Sequence, residues 1–243
     1  MSAHNRSAWT AGVATVALAG IHFAPSVVVL GQWTPVRTLP GGWCRWRGGG
    51  RHQVALTFDD GPDARTTPQV LEQLDRLGLR ATFFLLGERV DTAPSVVRAV
   101  LDAGHEIGSH GHVHDHHFVR SPRWVLADLD ASLAAIAEHA PRPRWYRPPY
   151  GQATAATLVA ARMRSVDPVL WSAWGREWVA PDAADVTRRV AGGLAPGAIV
   201  LLHDSDVTSR AGTTAQVLEA LPGIAVELQR RGLDSVTLSE LVA

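Results

Sequence analysis

A chain of 243 residues, 46% of them apolar, has room for one large α/β domain or two small ones. Its 23 acidic and 23 basic residues balance, which argues against the basic field of a nucleic-acid binder. Every basic residue other than histidine is Arg, so lysine chemistry is excluded, and the single cysteine, Cys44, excludes an intramolecular disulfide.

Ala11 to Gly31 contains no Asp, Glu or Arg, and these 21 residues could span a bilayer core of ~30 Å. Three readings of residues 1–31 compete: an uncleaved membrane anchor, a signal peptide with an A-x-A-like site at Ala17-Leu18-Ala19, or an apolar helix packed on the main domain. Arg37, Arg45, Arg47 and Arg51 follow the run and only Arg6 precedes it, the wrong bias for an exported C-terminal domain. The expectation is membrane contact or export to the cell envelope, with a cytoplasmic location as the alternative. Residues 32–50 read as a linker, with Pro35, Pro40, Gly41, Gly42 and Gly48-Gly49-Gly50. Its Trp33, Trp43 and Trp46, interleaved with Arg, suit either a bilayer interface or docking onto the domain.

Residues 51–243 form the expected main domain. The patterning predicts strands near 53–58, 80–86, 105–109, 144–147, 166–172, 198–202 and 234–237, and helices near 67–78, 94–103, 122–139, 153–163, 183–193 and 214–231. Ser121 before Pro122 marks an N-cap, Asp182 and Thr213 are further N-cap candidates, and Gly78 and Gly104 sit where helices end. In the last long helix Val217, Leu218, Leu221, Ile224, Ala225 and Leu228 recur at helical spacing and read as core. Strands alternating with helices imply a parallel sheet with right-handed crossovers. Asp59, Asp60, His110, Arg147, Trp171 and His203 all fall at the C-terminal ends of different strands. A barrel gathers such ends at one mouth, whereas an open sheet spreads them along an edge. The expected fold is therefore a distorted (β/α) barrel of about seven parallel strands, preceded by the apolar N-terminal helix.

The strand Ala55-Leu56-Thr57-Phe58 delivers two adjacent carboxylates, Asp59 and Asp60, before Gly61-Pro62 stops it. Two acids at the mouth of a buried strand are costly unless they bind a cation or move protons. His110 and His114, four apart, share one face of a helical turn and with Asp60 make a two-histidine, one-carboxylate set. The competing reading is a His-rich surface loop, since His112, His116 and His117 lie nearby; beside a metal, His112 is expected to point away and His116 and His117 to be solvated. If Asp60 binds the metal, Asp59 is free to act as general base, oriented by Arg147. His203, at the end of a late strand, reads as a general acid, with Asp204 either orienting it or capping the next turn.

The ordered motifs T-F-D-D-G-P, H-x-x-x-H, R-P-P-Y-G and L-x-H resemble those of the polysaccharide deacetylases, carbohydrate esterase family four. The resemblance spans about residues 51–243 and implies a distorted (β/α) barrel that removes acetyl groups from N-acetylated sugars, or from O-acetylated xylan. It implies a divalent metal, commonly Zn2+, with Co2+ or another ion as alternatives, held by Asp60, His110 and His114. It further implies Asp59 as base, Arg147 as its orienting partner, His203 as acid, Leu201 as lining of the acetyl pocket and the backbone N–H of Tyr150 as an oxyanion donor. Tyr150, Trp171, Trp174 and Trp178 offer apolar faces to a sugar, core packing being the alternative for each. The family's acidic stretch ending in Asp-Trp is altered here: Trp174 stands at an acidic position, and Glu177 replaces the Asp before Trp178. Glu177 is accordingly expected to supply the charge that tunes His203. The expected partner is an acetylated glycan such as peptidoglycan or chitooligosaccharide, the protein acting as a monomer without nucleic acid. The rival readings are a catalytically inactive carbohydrate-binding relative and a non-haem iron oxygenase using the same ligand set.

Overall fold

The computed structural model describes residues 44–243. The expected apolar helix within 1–31 and residues 32–43, with Trp33 and Trp43, lie outside the described residues. Among the described residues there are eight strands: β1 Gln53–Asp59, β2 Ala81–Leu85, β3 Glu106–Ser109, β4 Trp145–Tyr146, β5 Asp167–Pro168, β6 Ala173–Trp174, β7 Ile199–His203 and β8 Asp234–Ser235. Seven run in the order β5-β4-β3-β2-β1-β7-β6, β8 pairs with β1, and every pairing is parallel.

The chain itself forces this sheet to curl. A flat path of seven strands would hold its edges ~29 Å apart at ~4.8 Å per strand. Yet the edge strands β5 and β6 are joined directly by residues 169–172, a link that reaches at most ~17 Å. Here the single strand expected over 166–172 is divided. Val169 N–H donates to Tyr146 O on one side of the opening, and Ser172 N–H donates to Ile199 O on the other. The segment therefore crosses the seam instead of extending either strand. The end of the stretch read as a linker docks into that seam. Arg45 exchanges backbone bonds with Pro168 (2.8 Å) and Leu170 (2.6 Å), and Gly48 N–H donates to Gly197 O at 2.8 Å.

The helices are α1 Thr67–Leu77, α2 Gly87–Val90, α3 Pro94–Asp102, α4 Pro122–Ala137, α5 Ala155–Met163, α6 Ala183–Gly193, α7 Thr213–Arg230 and α8 Leu238–Leu241. The four-residue α2 and α8 went unpredicted because they are too short to show a period. Ser121 and Asp182 cap as expected, accepting from Trp124 N–H and Asp185 N–H, and Gly78 ends α1 at φ 64°. Thr213 does not cap α7. Gly212, at φ 87°, takes that position, and the Thr213 hydroxyl donates back to Arg210 O. Among the described residues no helix is long and apolar enough to cross a membrane.

Strand period two sorts β1 into two faces. Val54, Leu56 and Phe58 join the main core under the helices, where Val217, Leu221, Ile224 and Leu228 of α7 are buried. Ala55 points the other way, into a cluster with Phe84, Trp145 and Ile199 that α8 completes with Leu238 and Leu241. Thr57 and Asp59 continue that inner face upward, so the barrel is apolar at its base and polar at its mouth.

The seam yields a stability prediction. Gly197 has φ +77°, and a Cβ there would collide with the carbonyl of Gly48. Gly197→Ala should cost ~2 kcal/mol or more, since the left-handed conformation alone costs a side-chain-bearing residue ~1–2 kcal/mol. Gly49→Ala, with open space around its Cβ, should be close to neutral. Urea unfolding of both variants checks the difference.

Candidate active site

Asp59 and Asp60 are neighbours, and an unbroken strand would send them to opposite faces. The chain avoids this by turning: Asp60 sits at φ 78°, and both carboxylates line one cavity of about 370 Å³. The turn is tight. A Cβ on Gly61 would strike the Asp204 carboxylate, so only glycine fits. Asp204 thus supports this turn from behind, accepting from the Thr67 hydroxyl, and burial pushes its carboxyl up to about 7. It does not reach His203.

Arg147 follows β4 and is fully buried. Its Nη1 donates to Asp59 Oδ1 (2.7 Å) and Thr57 Oγ1 (2.8 Å), and its Nη2 to Leu170 O (3.1 Å). The guanidinium lies 4.1 Å from the Phe84 ring centroid. Asp59 Oδ1 is thereby committed.

Asp60 is arranged differently. The Thr208 hydroxyl donates to its Oδ2, whereas its buried Oδ1 has no hydrogen-bond partner. That orphaned oxygen lies 3.4 Å from His110 Nε2 and 3.5 Å from His114 Nε2. His110 Nδ1 contacts Arg147 O at 2.8 Å. A carbonyl only accepts, so Nδ1 carries a proton and Nε2 faces the cavity. Burial, aided by nearby His110, lowers His114 to about 4, leaving a neutral imidazole. Burial opposes charge on Asp60 as well, yet the imidazoles that surround it, chiefly His110 and His203, hold its carboxyl well below the usual range. One carboxylate oxygen and two imidazole nitrogens within 4.8 Å of one another fit a divalent cation such as Zn2+.

The histidines do not converge through a helical turn, as their spacing suggested. Residues 110–114 form a loop with Gly111 at φ 86°, cradled by Asp128 of α4, which accepts from His112 N–H (3.0 Å) and Val113 N–H (3.1 Å). The two rings still approach to 5.3 Å between centroids. His112 does not line the cavity. His117 is buried rather than solvated: a 3-10 turn over His117–Val119 points its Nδ1 at Thr157 Oγ1, 3.0 Å away. His116 is exposed, but its ring lies against Tyr150.

β7 places His203 beside Asp59 in register, with Nε2 3.9 Å from Asp60 Oδ2. His203 Nδ1 lies 2.8 Å from Oε1 of Glu177, which is fully buried. Burial alone would strip the proton from this ring. The Glu177 carboxylate, helped by Asp60 and Asp59, reverses that and raises the imidazole to about 10.

Leu201, Trp171, Trp174, Trp178 and Tyr150 also line the cavity. The three indoles form a chain, with centroids 5.3 Å and then 5.6 Å apart, and Trp178 meets His203 edge-on. Tyr150 is 44% exposed, as a wall rather than a core residue would be. Thr208, Ser209 and Arg210, which close one side of the cavity, could not be found by pattern. They carry no periodicity, and only the turn after β7 brings them in. Asp128 and Asp204 were equally silent as supports, since both act on residues distant in sequence.

The family model for polysaccharide deacetylases matches residues 47–167, a span holding Asp59, Asp60, His110, His114 and Arg147. A peptidoglycan-N-acetylglucosamine deacetylase from Bacillus cereus is 35% identical over 207 residues, covering 84% of this chain and 94% of that relative. A crystal structure of a peptidoglycan N-acetylglucosamine deacetylase superposes with TM-score 0.77 at 29% identity, covering 84% of this chain and 97% of the other. A carbohydrate esterase family 4 pseudoenzyme from Bacillus anthracis superposes with TM-score 0.73 at 25% identity, covering 82% and 68%. Sequence and fold agree, and the chain belongs to the polysaccharide deacetylase family.

Proposed function

We propose that this protein is a metal-dependent hydrolase that removes the acetyl group from N-acetylated sugars of a cell-wall glycan such as peptidoglycan. The observation that carries this reading is the division of labour between adjacent carboxylates. Asp59 is bound to Arg147, while Asp60 keeps an unpartnered oxygen facing two imidazoles. An inactive carbohydrate-binding relative needs neither arrangement. An iron oxygenase needs the donor set but neither the Asp59–Arg147 pair nor the His203–Glu177 pair.

A divalent cation, Zn2+ by the donor chemistry, supplies Lewis-acid polarisation and a more acidic water when held by Asp60, His110 and His114. Arg147 fixes Asp59 through Oδ1 and leaves Oδ2 to accept a proton from the attacking water. The Tyr150 backbone N–H stabilises the oxyanion. Leu201 bounds the acetyl methyl, and the Trp171–Trp174–Trp178 wall receives the sugar ring. His203, kept protonated by Glu177, delivers its proton to the departing nitrogen. An amine is a far poorer leaving group than an alcohol until it is protonated, so a strongly held acid favours N-acetyl over O-acetyl substrates. The similarity to a peptidoglycan deacetylase supports peptidoglycan, with chitooligosaccharide as the second candidate.

Acetate release from peptidoglycan, chitooligosaccharide and acetylated xylan, assayed with zinc, tests the reading. Peptidoglycan should be hydrolysed and xylan poorly, and no release from any N-acetylated glycan contradicts the proposal. In the same assay Asp59→Asn should lower kcat by ~10²–10⁴ with metal content intact, the range expected for loss of a general base. Asp60→Asn should lose metal as well as turnover, as measured by elemental analysis.

Glu177→Gln should move the alkaline limb of the pH–rate profile to lower pH. The carboxylate raises His203, so without it the imidazole surrenders its proton at lower pH, and the acid form is lost sooner as pH rises. An unchanged alkaline limb would mean that Glu177 does not tune the acid.

A further inference from the structure

The two imidazoles of the candidate metal centre are held by different means. His110 is fixed by its Nδ1–H bond to Arg147 O, 2.8 Å away. His114 has no such bond: its Nδ1 is buried without a hydrogen-bond partner. A metal-binding imidazole is ordinarily oriented by a bond from its second nitrogen. What His114 has instead is a ring contact. Its centroid lies 4.3 Å from that of Tyr150, with the planes at 58°.

Tyr150 is in turn held by a second ring. Its ring lies flat on His116, with centroids 4.0 Å apart and planes 4° from parallel. His116 is exposed, but its anchor is not, since Gln152 is 7% exposed. The Phe118 backbone N–H donates to Gln152 Oε1 at 3.1 Å. A backbone N–H only donates, so this bond sets which end of the amide carries oxygen. Gln152 Nε2 then donates to His116 Nδ1 at 2.7 Å. The two loops are thus buttoned together, His114-Asp115-His116 after β3 against Tyr150-Gly151-Gln152 after β4. The clamp also explains a strained backbone. Tyr150 has φ 56° and ψ 10°, a conformation that side-chain-bearing residues keep only when their surroundings over-determine it.

We propose that His116 is a positioning residue, locked by Gln152, whose stack on Tyr150 orients the metal-binding ring of His114 in place of a hydrogen bond. The proposal rests on the metal-site reading above and is separable from the glycan. Zinc affinity of the full-length protein is measured by competition with a chromophoric chelator, beside kcat and KM for acetate release. His116→Ala should weaken zinc binding ~10-fold or more, the scale seen when an outer support of a metal ligand is removed. It should also lower kcat more than it changes KM. His116→Phe keeps a flat ring in the stack and should recover most of both losses. Gln152→Ala leaves the ring but frees it, and should weaken zinc in the same direction by less. Wild-type zinc affinity in His116→Ala overturns the proposal, as does a Phe variant as impaired as the Ala variant. Should His116→Ala fail to fold, unchanged zinc affinity in Gln152→Ala overturns it instead. If the wild type releases no acetate from any glycan, the hydrolase reading fails while the zinc measurements still decide the clamp.

Discussion

The mouth of this barrel depends on one buried ion pair. Arg147 has no exposed surface, and its guanidinium ties Asp59 and Thr57 of β1 to the carbonyl of Leu170 at the seam. Its own carbonyl orients His110, and its N–H binds Ser109 O at the end of β3. A single residue therefore links three strand ends and the crossing segment. Such a pair is costly to desolvate, and breaking one by removing a partner typically costs ~3–5 kcal/mol. The bonds that close the top of the barrel are the same ones that aim Asp59, the proposed base, so the fold and the proposed chemistry draw on one network.

That network also explains why two adjacent carboxylates can do different work. Arg147 takes up one oxygen of Asp59. Asp60, turned inward by its left-handed backbone, meets only imidazoles and the Thr208 hydroxyl, and so keeps an oxygen for a cation. Across the cavity a second buried pair, Glu177 and His203, repeats the logic with opposite purpose, keeping a proton on a ring that burial would strip. In the proposed reading one cavity thus holds an acceptor, a cation site and a donor, each set by what its neighbours have already claimed.

Much of this was legible in the chain. Residues at strand ends in a parallel barrel must converge, so Asp59, Asp60, His110, Arg147 and His203 could be assembled from pattern alone. Glu177 was legible only through the motif it departs from, because nothing local distinguishes it from a surface acid. Other features were hidden by physics rather than by chance. The continuous strand expected over 166–172 breaks because its hydrogen bonds go to opposite sides of the seam. The helical turn expected over 110–114 is a loop because Gly111 takes a left-handed conformation and Asp128, from a distant helix, supplies acceptors that a helix would not need. His117 is buried against Thr157, a contact 40 positions away that no periodicity reveals.

In the proposed reading this protein does its work at a cation held by Asp60, His110 and His114. Stripping the wild-type protein with a chelator and returning zinc, while following acetate release from peptidoglycan, tests it most directly. Activity should vanish on stripping and return in proportion to zinc bound, reaching a plateau at one ion per chain. Acetate release that survives complete removal of metal would contradict it.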